Sequence, residues 1–107
     1  MSKENVSKEY KEVNGQTLKI ELYYNLGGYN YGTGRMMERG YYASVQPVTL
    51  SKHDGYTTET YTAFTGICKL IHPVKRKSKV AEVRAENLFT EEIKQELIDY
   101  VLRKQAA

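Results

Sequence analysis

From Thr17 to Tyr24 the chain alternates without a break, with Leu18, Ile20, Leu22 and Tyr24 on one side and Thr17, Lys19, Glu21 and Tyr23 on the other. Successive side chains of a β-strand point to opposite faces, so this run is a strand with one apolar face. Asn14-Gly15 stands just before it. Both residues accept positive φ, which a tight hairpin turn requires, so the chain around Tyr10 and Val13 folds back on the strand. Residues 1–8 are polar and are expected to form a frayed tail.

The alternation dissolves between Asn25 and Arg39, where the glycines at 27, 28, 32 and 34 argue for a long loop. Strand character returns over Gly40 to Leu50, with Tyr41, Ala43 and Val45 facing one way. Pro47 removes a ladder donor there, which implies an edge position or a bulge. After the turn chemistry of Ser51-Lys52-His53-Asp54-Gly55, Thr57 to Phe64 and Ile67 to Val74 form a β-branched and aromatic stretch interrupted at Thr65-Gly66. It is either one long strand with a bulge or a hairpin.

Ser78 and Thr90 are N-cap residues, the first for a helix through about Leu88 and the second for one that opens with Glu91 and Glu92 in its first turn. Ile93, Leu97, Tyr100 and Val101 form a core-facing stripe, which Ile98 and Leu102 widen beyond what one sheet face needs. That excess suggests a homodimer through the C-terminal helix. The expected fold is α+β: a meander of three or four antiparallel strands within residues 9–74, packed by a helix or broken helix pair over 78–104. Leu18, Ile20, Leu22, Val45, Phe64, Leu97 and Val101 are the expected core.

A chain of 107 residues with 40% hydrophobic and 27% charged residues has the make-up of a single globular domain. Its N-terminus is charged where a signal peptide is apolar, and no apolar run approaches a membrane span, so a cytoplasmic location is expected. The sequon Asn5-Val6-Ser7 then has no glycosylation route. Cys68 is the only cysteine, which rules out an internal disulfide and most metal-site patterns.

Catalytic constellations are absent from the pattern. Gly27 and Gly32 have the spacing of a phosphate-binding loop, but Thr33 and Gly34 stand where Lys and Ser or Thr are needed, and no helix follows. Cys68 and His72, read as one strand face, lie about 13 Å apart, too far for a thiolate and imidazole pair, and Cys68 reads as a small buried hydrophobe. Glu91-Glu92 and Glu82/Glu86 are explained by solvation and the helix dipole. No enzyme activity, cofactor or metal is expected.

Two segments have the chemistry of recognition instead. Tyr29, Tyr31, Arg35 and Arg39, with Asn25 and Asn30, lie on the glycine-rich segment, flanked by Tyr23, Tyr24, Tyr41 and Tyr42 at strand ends. Tyrosine gives wide amphipathic contact at little entropic cost, arginine a planar donor fork, and the same set stacks bases and holds phosphates. Strand tyrosines also serve simply as cover for a half-exposed sheet. Lys75, Arg76, Lys77 and Lys79 form the one concentrated basic run, at a helix N-terminus where anions are favoured. With a net charge of only +3, the distribution rather than the total must support nucleic-acid binding.

In Leu22-Tyr23-Tyr24-Asn25-Leu26-Gly27-Gly28, in Arg39 to Val48 and in Lys75 to Lys79, over about residues 18 to 85, the chain resembles small uncharacterised proteins of bacterial conjugative elements and prophages. The resemblance implies a mobile-element accessory protein that binds DNA, a relaxation or replication component, or a host defence protein. The resulting expectation is a non-enzymatic binding module for nucleic acid, with docking on another protein through the tyrosine segment or the apolar helix face as the alternative.

Overall fold

The computed structural model describes residues 3–31, 34–61 and 66–106. The Asn14-Gly15 turn forms as its residue types require, with φ of 52° and 79°. It joins β1 (Lys3–Val13) to β2 (Gln16–Asn25) in register from Val13↔Gln16 to Lys3↔Asn25. The expected tail at 1–8 is therefore strand from Lys3 onward. β1 carries charge on both faces because it is an edge strand, so it lacks the alternation that marks a half-buried one.

β2 pairs on its other side with β5 (Gly40–His53), antiparallel from Asn25↔Gly40 to Thr17↔Val48. The chain returning from β5 runs along the far edge of that strand in two pieces. β6 (Tyr56–Tyr61) pairs residues 48–53, and β7 (Ile67–Pro73) pairs residues 40–45. Two residues of β5 separate Val45 from Val48, while five of the returning chain separate Tyr61 from Ile67. Pro47 lies in that gap. A residue without an amide donor thus sits where this edge has no ladder to feed among the described residues.

The sheet corrects the expectation of three or four strands. Among the described residues it has five, in the order β1-β2-β5-β6 with β7 also on β5, and a separate two-stranded sheet is formed by β3 (Gly28–Asn30) and β4 (Arg35–Met37). The class is α+β. Phe64 and the Thr65 of the expected interruption lie outside the described residues, as do Gly32 and Thr33.

Ser78 Oγ accepts from Ala81 N at 3.1 Å and starts α1 (Lys79–Leu88). Thr90 Oγ1 accepts from Ile93 N at 3.3 Å at the head of α2 (Glu91–Ala106). The helices cover one sheet face: Leu18, Ile20, Leu22, Tyr24, Tyr41, Ala43 and Val45 pack against Ala81, Ala85, Phe89, Leu97, Ile98 and Val101. Ala81 and Ala85 are small enough for α1 to lie close to the sheet. Ile98 is buried and Leu102 packs, partly buried, against the core, so most of the broad apolar arc of α2 is used inside the chain. The unforeseen breadth of the sheet explains it, since Val6 and Val13 of β1 extend the surface that the helices cover. Tyr100, expected in the core stripe, is exposed. Reciprocal amide hydrogen bonds of 2.7 and 2.9 Å between Gln16 and Gln105 tie the end of α2 to the first turn.

The second sheet face is polar, and yet its centre is buried. Lys19, Glu21, Tyr23, Tyr42 and Ser44 are all buried on it. The β5–β6 arm bends over this face, so that Glu59 takes Lys19 Nζ at 2.8 Å and accepts from the Tyr10 hydroxyl of the opposite edge strand. The Lys19 and Tyr10 hydrogen bonds hold the Glu59 carboxyl below its ordinary range. Burial works against the Lys19 ammonium, but Glu59, Glu21 and Tyr61 outweigh it and leave its pKa raised. A carboxyl depressed on folding contributes stability that is present above its unfolded pKa, near 4.3, and is lost as pH falls through the lower folded value. Glu59→Gln should therefore destabilise by about 1 to 3 kcal/mol at pH 7. In urea unfolding the difference from wild type should shrink steadily below about pH 4.3.

Candidate recognition hairpin and basic junction

The segment expected to be a loop, 25–39, is built around the β3–β4 hairpin, in register from Gly28↔Met37 to Asn30↔Arg35. Gly27 and Gly34 stand just before the two short strands and Gly28 opens β3, so none of the three interrupts a strand. Gly27, at φ 77°, lets the chain cross itself at the hairpin base: a Cβ there would lie 2.7 Å from Met37 O and 3.0 Å from Arg39 N. Gly27 N donates to Asn25 Oδ1 at 2.7 Å, and Gly34 N closes the tip on Asn30 O at 2.8 Å.

Alternation sorts the hairpin into two faces. Tyr29 and Met36 are cross-strand partners on one face, and the Tyr31 ring meets that of Tyr29 edge to face with centroids 4.8 Å apart. Tyr31 is 90% exposed, Met36 74% and Tyr29 48%. Asn30, Arg35 and Met37 belong to the other face, where Asn30 Nδ2 donates to Met37 Sδ at 3.3 Å. The structure thus joins the two tyrosines and turns Arg35 away from them.

Arg39 at the hairpin's foot is a clamp. Its Nε donates to Leu26 O at 3.0 Å and one terminal nitrogen to Lys75 O at 3.1 Å, while the Tyr24 hydroxyl donates to the same Lys75 carbonyl at 3.4 Å. The Tyr42 hydroxyl adds a 2.6 Å bond to Glu38 O. These bonds place the β7–α1 junction, with Lys75, Arg76 and Lys77 exposed, directly beside the hairpin base. Lys79 is engaged by Glu82 at 3.0 Å, which reduces its value as an anion contact.

Sequence reasoning missed the apolar part of this surface. Met36 and Leu26 are exposed on the hairpin, and Val80 and Val83 stand out from α1 along a shallow groove lined by Lys79, Val80, Val83, Arg84 and Asn87. The i, i+3 spacing of Val80 and Val83, opposite the inward Ala81 and Ala85, was the available signal.

The remaining candidates are dispersed. Cys68 is exposed, not buried, with its sulfur 2.8 Å from the Tyr23 hydroxyl, and it pairs with Ser44 on the polar face. His72 pairs with Tyr41 on the helix-covered face and stacks on its ring, so a register shift between Tyr41 and Tyr42 puts Cys68 and His72 on opposite faces. His53 stacks on Tyr56 in the β5–β6 turn region. Burial, with the Cys68 contact, pushes the Tyr23 hydroxyl pKa up and keeps it protonated. Among the described residues there is no cluster of three metal-ligating side chains and no helix long and apolar enough to cross a membrane.

No protein-family model, curated protein or solved structure matches the chain.

Proposed function

We propose that this protein is a non-catalytic, cytoplasmic binding module, an accessory protein of a bacterial mobile element, that captures single-stranded nucleic acid on the β3–β4 hairpin and the basic junction at its foot. The observation that carries this reading is the Arg39 clamp, which fastens the base of an exposed aromatic hairpin to the backbone of the basic run. Stacking on Tyr29 and Tyr31 supplies contact to unpaired bases of any sequence, and Lys75, Arg76 and Lys77 supply contact to phosphate. Arg35 adds charge on the hairpin's reverse face, and Arg39 acts through the clamp it forms.

Phosphate contacts release counterions, so affinity should fall with salt by about 0.7 log units per tenfold increase for each contact to a single strand. Charge reversal at Lys75, Arg76 and Lys77 should weaken binding and reduce that slope by up to about 2 units. Titration of a labelled oligonucleotide at several salt concentrations checks this, and a salt-independent affinity sinks the reading.

The exposed Met36 beside Tyr29 favours a second reading, in which the hairpin docks on a protein. A thioether adds apolar contact and has no use for phosphate. Binding to a protein partner would show little salt dependence and would be weakened by Met36→Glu.

A further inference from the structure

The two edges of the main sheet are treated differently. β1 is protected from pairing with another chain by Lys8, Glu9, Lys11 and Glu12 and by a bulge between Asn5 and Ser7. β6 has no such protection. It reads Tyr-Thr-Thr-Glu-Thr-Tyr, residue types that favour strands, with no lysine, proline or bulge in its pairing to β5. Its one charge, Glu59, is neutralised by Lys19 on the polar face. Thr57, Thr58 and Thr60 are exposed, Tyr56 is 61% and Tyr61 52% exposed, and no described strand pairs with the outer side.

We propose that β6 pairs antiparallel with β6 of a second copy about a two-fold axis at Thr58. Residues opposite each other in an antiparallel pair have the same hydrogen-bonding orientation, so the axis passes through a residue and not between two. An axis at Glu59 would set two carboxylates face to face, which is unfavourable. The axis at Thr58 opposes Thr58 with Thr58, Thr57 with Glu59, and Tyr56 with Thr60. No like charges meet, and the threonine–threonine and aromatic–β-branched pairs are favourable ones. The other edge of β6 is already held by β5, so the pairing closes at two copies and does not propagate. A second copy fits this edge better than β1 of a neighbour, whose charges and bulge oppose addition. The pairing is also distinct from the α2 face first expected to dimerise, whose Ile98 is buried within the chain.

A ladder this short gives a small interface, so the dimer is weak and forms in the range of tens to hundreds of micromolar. Sedimentation equilibrium up to about 500 µM should show a monomer–dimer equilibrium for the wild-type chain. Thr58→Lys, an exposed substitution that leaves the core untouched, should raise the dissociation constant about fivefold or more, and Thr58→Val should not. In a Cys68→Ser background, Thr58→Cys should form an intermolecular disulfide on mild oxidation, because directly opposed Cβ atoms lie about 4.5–5.5 Å apart, near disulfide range. A wild-type chain that stays monomeric throughout overturns the proposal, as does a dimer that persists unchanged in Thr58→Lys or a Thr58→Cys chain that does not cross-link.

Discussion

Leu97→Ala should lower unfolding stability by about 2 to 5 kcal/mol, the range for emptying a well-packed leucine site. Leu97 is 2% exposed and sits with Ile98 and Val101 against the β2–β5 face, in the middle of the cluster that joins helix to sheet. A cavity there is bordered by two rigid layers and has little room to collapse, which favours the upper half of the range. Chemical denaturation by urea measures it. A loss below about half a kcal/mol would mean that α2 does not pack on the sheet.

Gly40→Ala should be comparably severe for a different reason. Gly40 opens β5 at φ 156°, and a Cβ at this position would lie 2.5 Å from His72 O and 2.8 Å from the Pro73 Cα. Both are backbone atoms of β7, so no side chain can turn aside to make room. Overpacking of this kind costs about 1 to 3 kcal/mol, and holding a side-chain-bearing residue at this positive φ about 1 to 3 more. The first ladder pair, Gly40↔Pro73, should open, carrying with it the Lys75 carbonyl that Arg39 and Tyr24 hold. Amide hydrogen exchange should show faster exchange at residues 70–73 and around Arg39 than in β1. Protection unchanged in that corner, with stability within half a kcal/mol of wild type, would contradict the packing described.

What was legible in the sequence was whatever a single face could dictate. Leu18, Ile20, Leu22 and Tyr24 announced β2 because only their side is apolar, and Asn14-Gly15, Ser78 and Thr90 announced local geometry that needs no tertiary context. β1 was hidden because an edge strand can carry Lys and Glu on both faces while its partner fixes its pairing. The β3–β4 hairpin was hidden because glycines that forbid a regular element inside a strand permit one when they flank it, as Gly27 and Gly34 do. Lys19 gave no sign of burial, since its partner Glu59 lies on the β5–β6 arm some forty residues away along the chain.

The candidate site was legible in its residue types and not in their arrangement. Tyr29 and Tyr31 were singled out and share a face, and the basic run was singled out and lies at the hairpin's foot. The division of Tyr29 from Arg35 follows from the β3–β4 register, which no local pattern contained. The role of Arg39 as a clamp depends on the Lys75 carbonyl, brought beside it only by β7 pairing with β5.

The most direct test of the binding account is fluorescence anisotropy at low salt with a short labelled single strand and the duplex of the same sequence, for the wild-type chain and for Tyr29→Ala with Tyr31→Ala. The wild-type chain should bind the single strand more tightly than the duplex, because each stacked base contributes about 1 to 3 kcal/mol that paired bases cannot offer. The double substitution should remove that preference while leaving the salt-dependent contact of Lys75, Arg76 and Lys77 with both ligands. No binding of either ligand at tens of micromolar, or a single-strand preference that survives the loss of both tyrosines, would contradict the account.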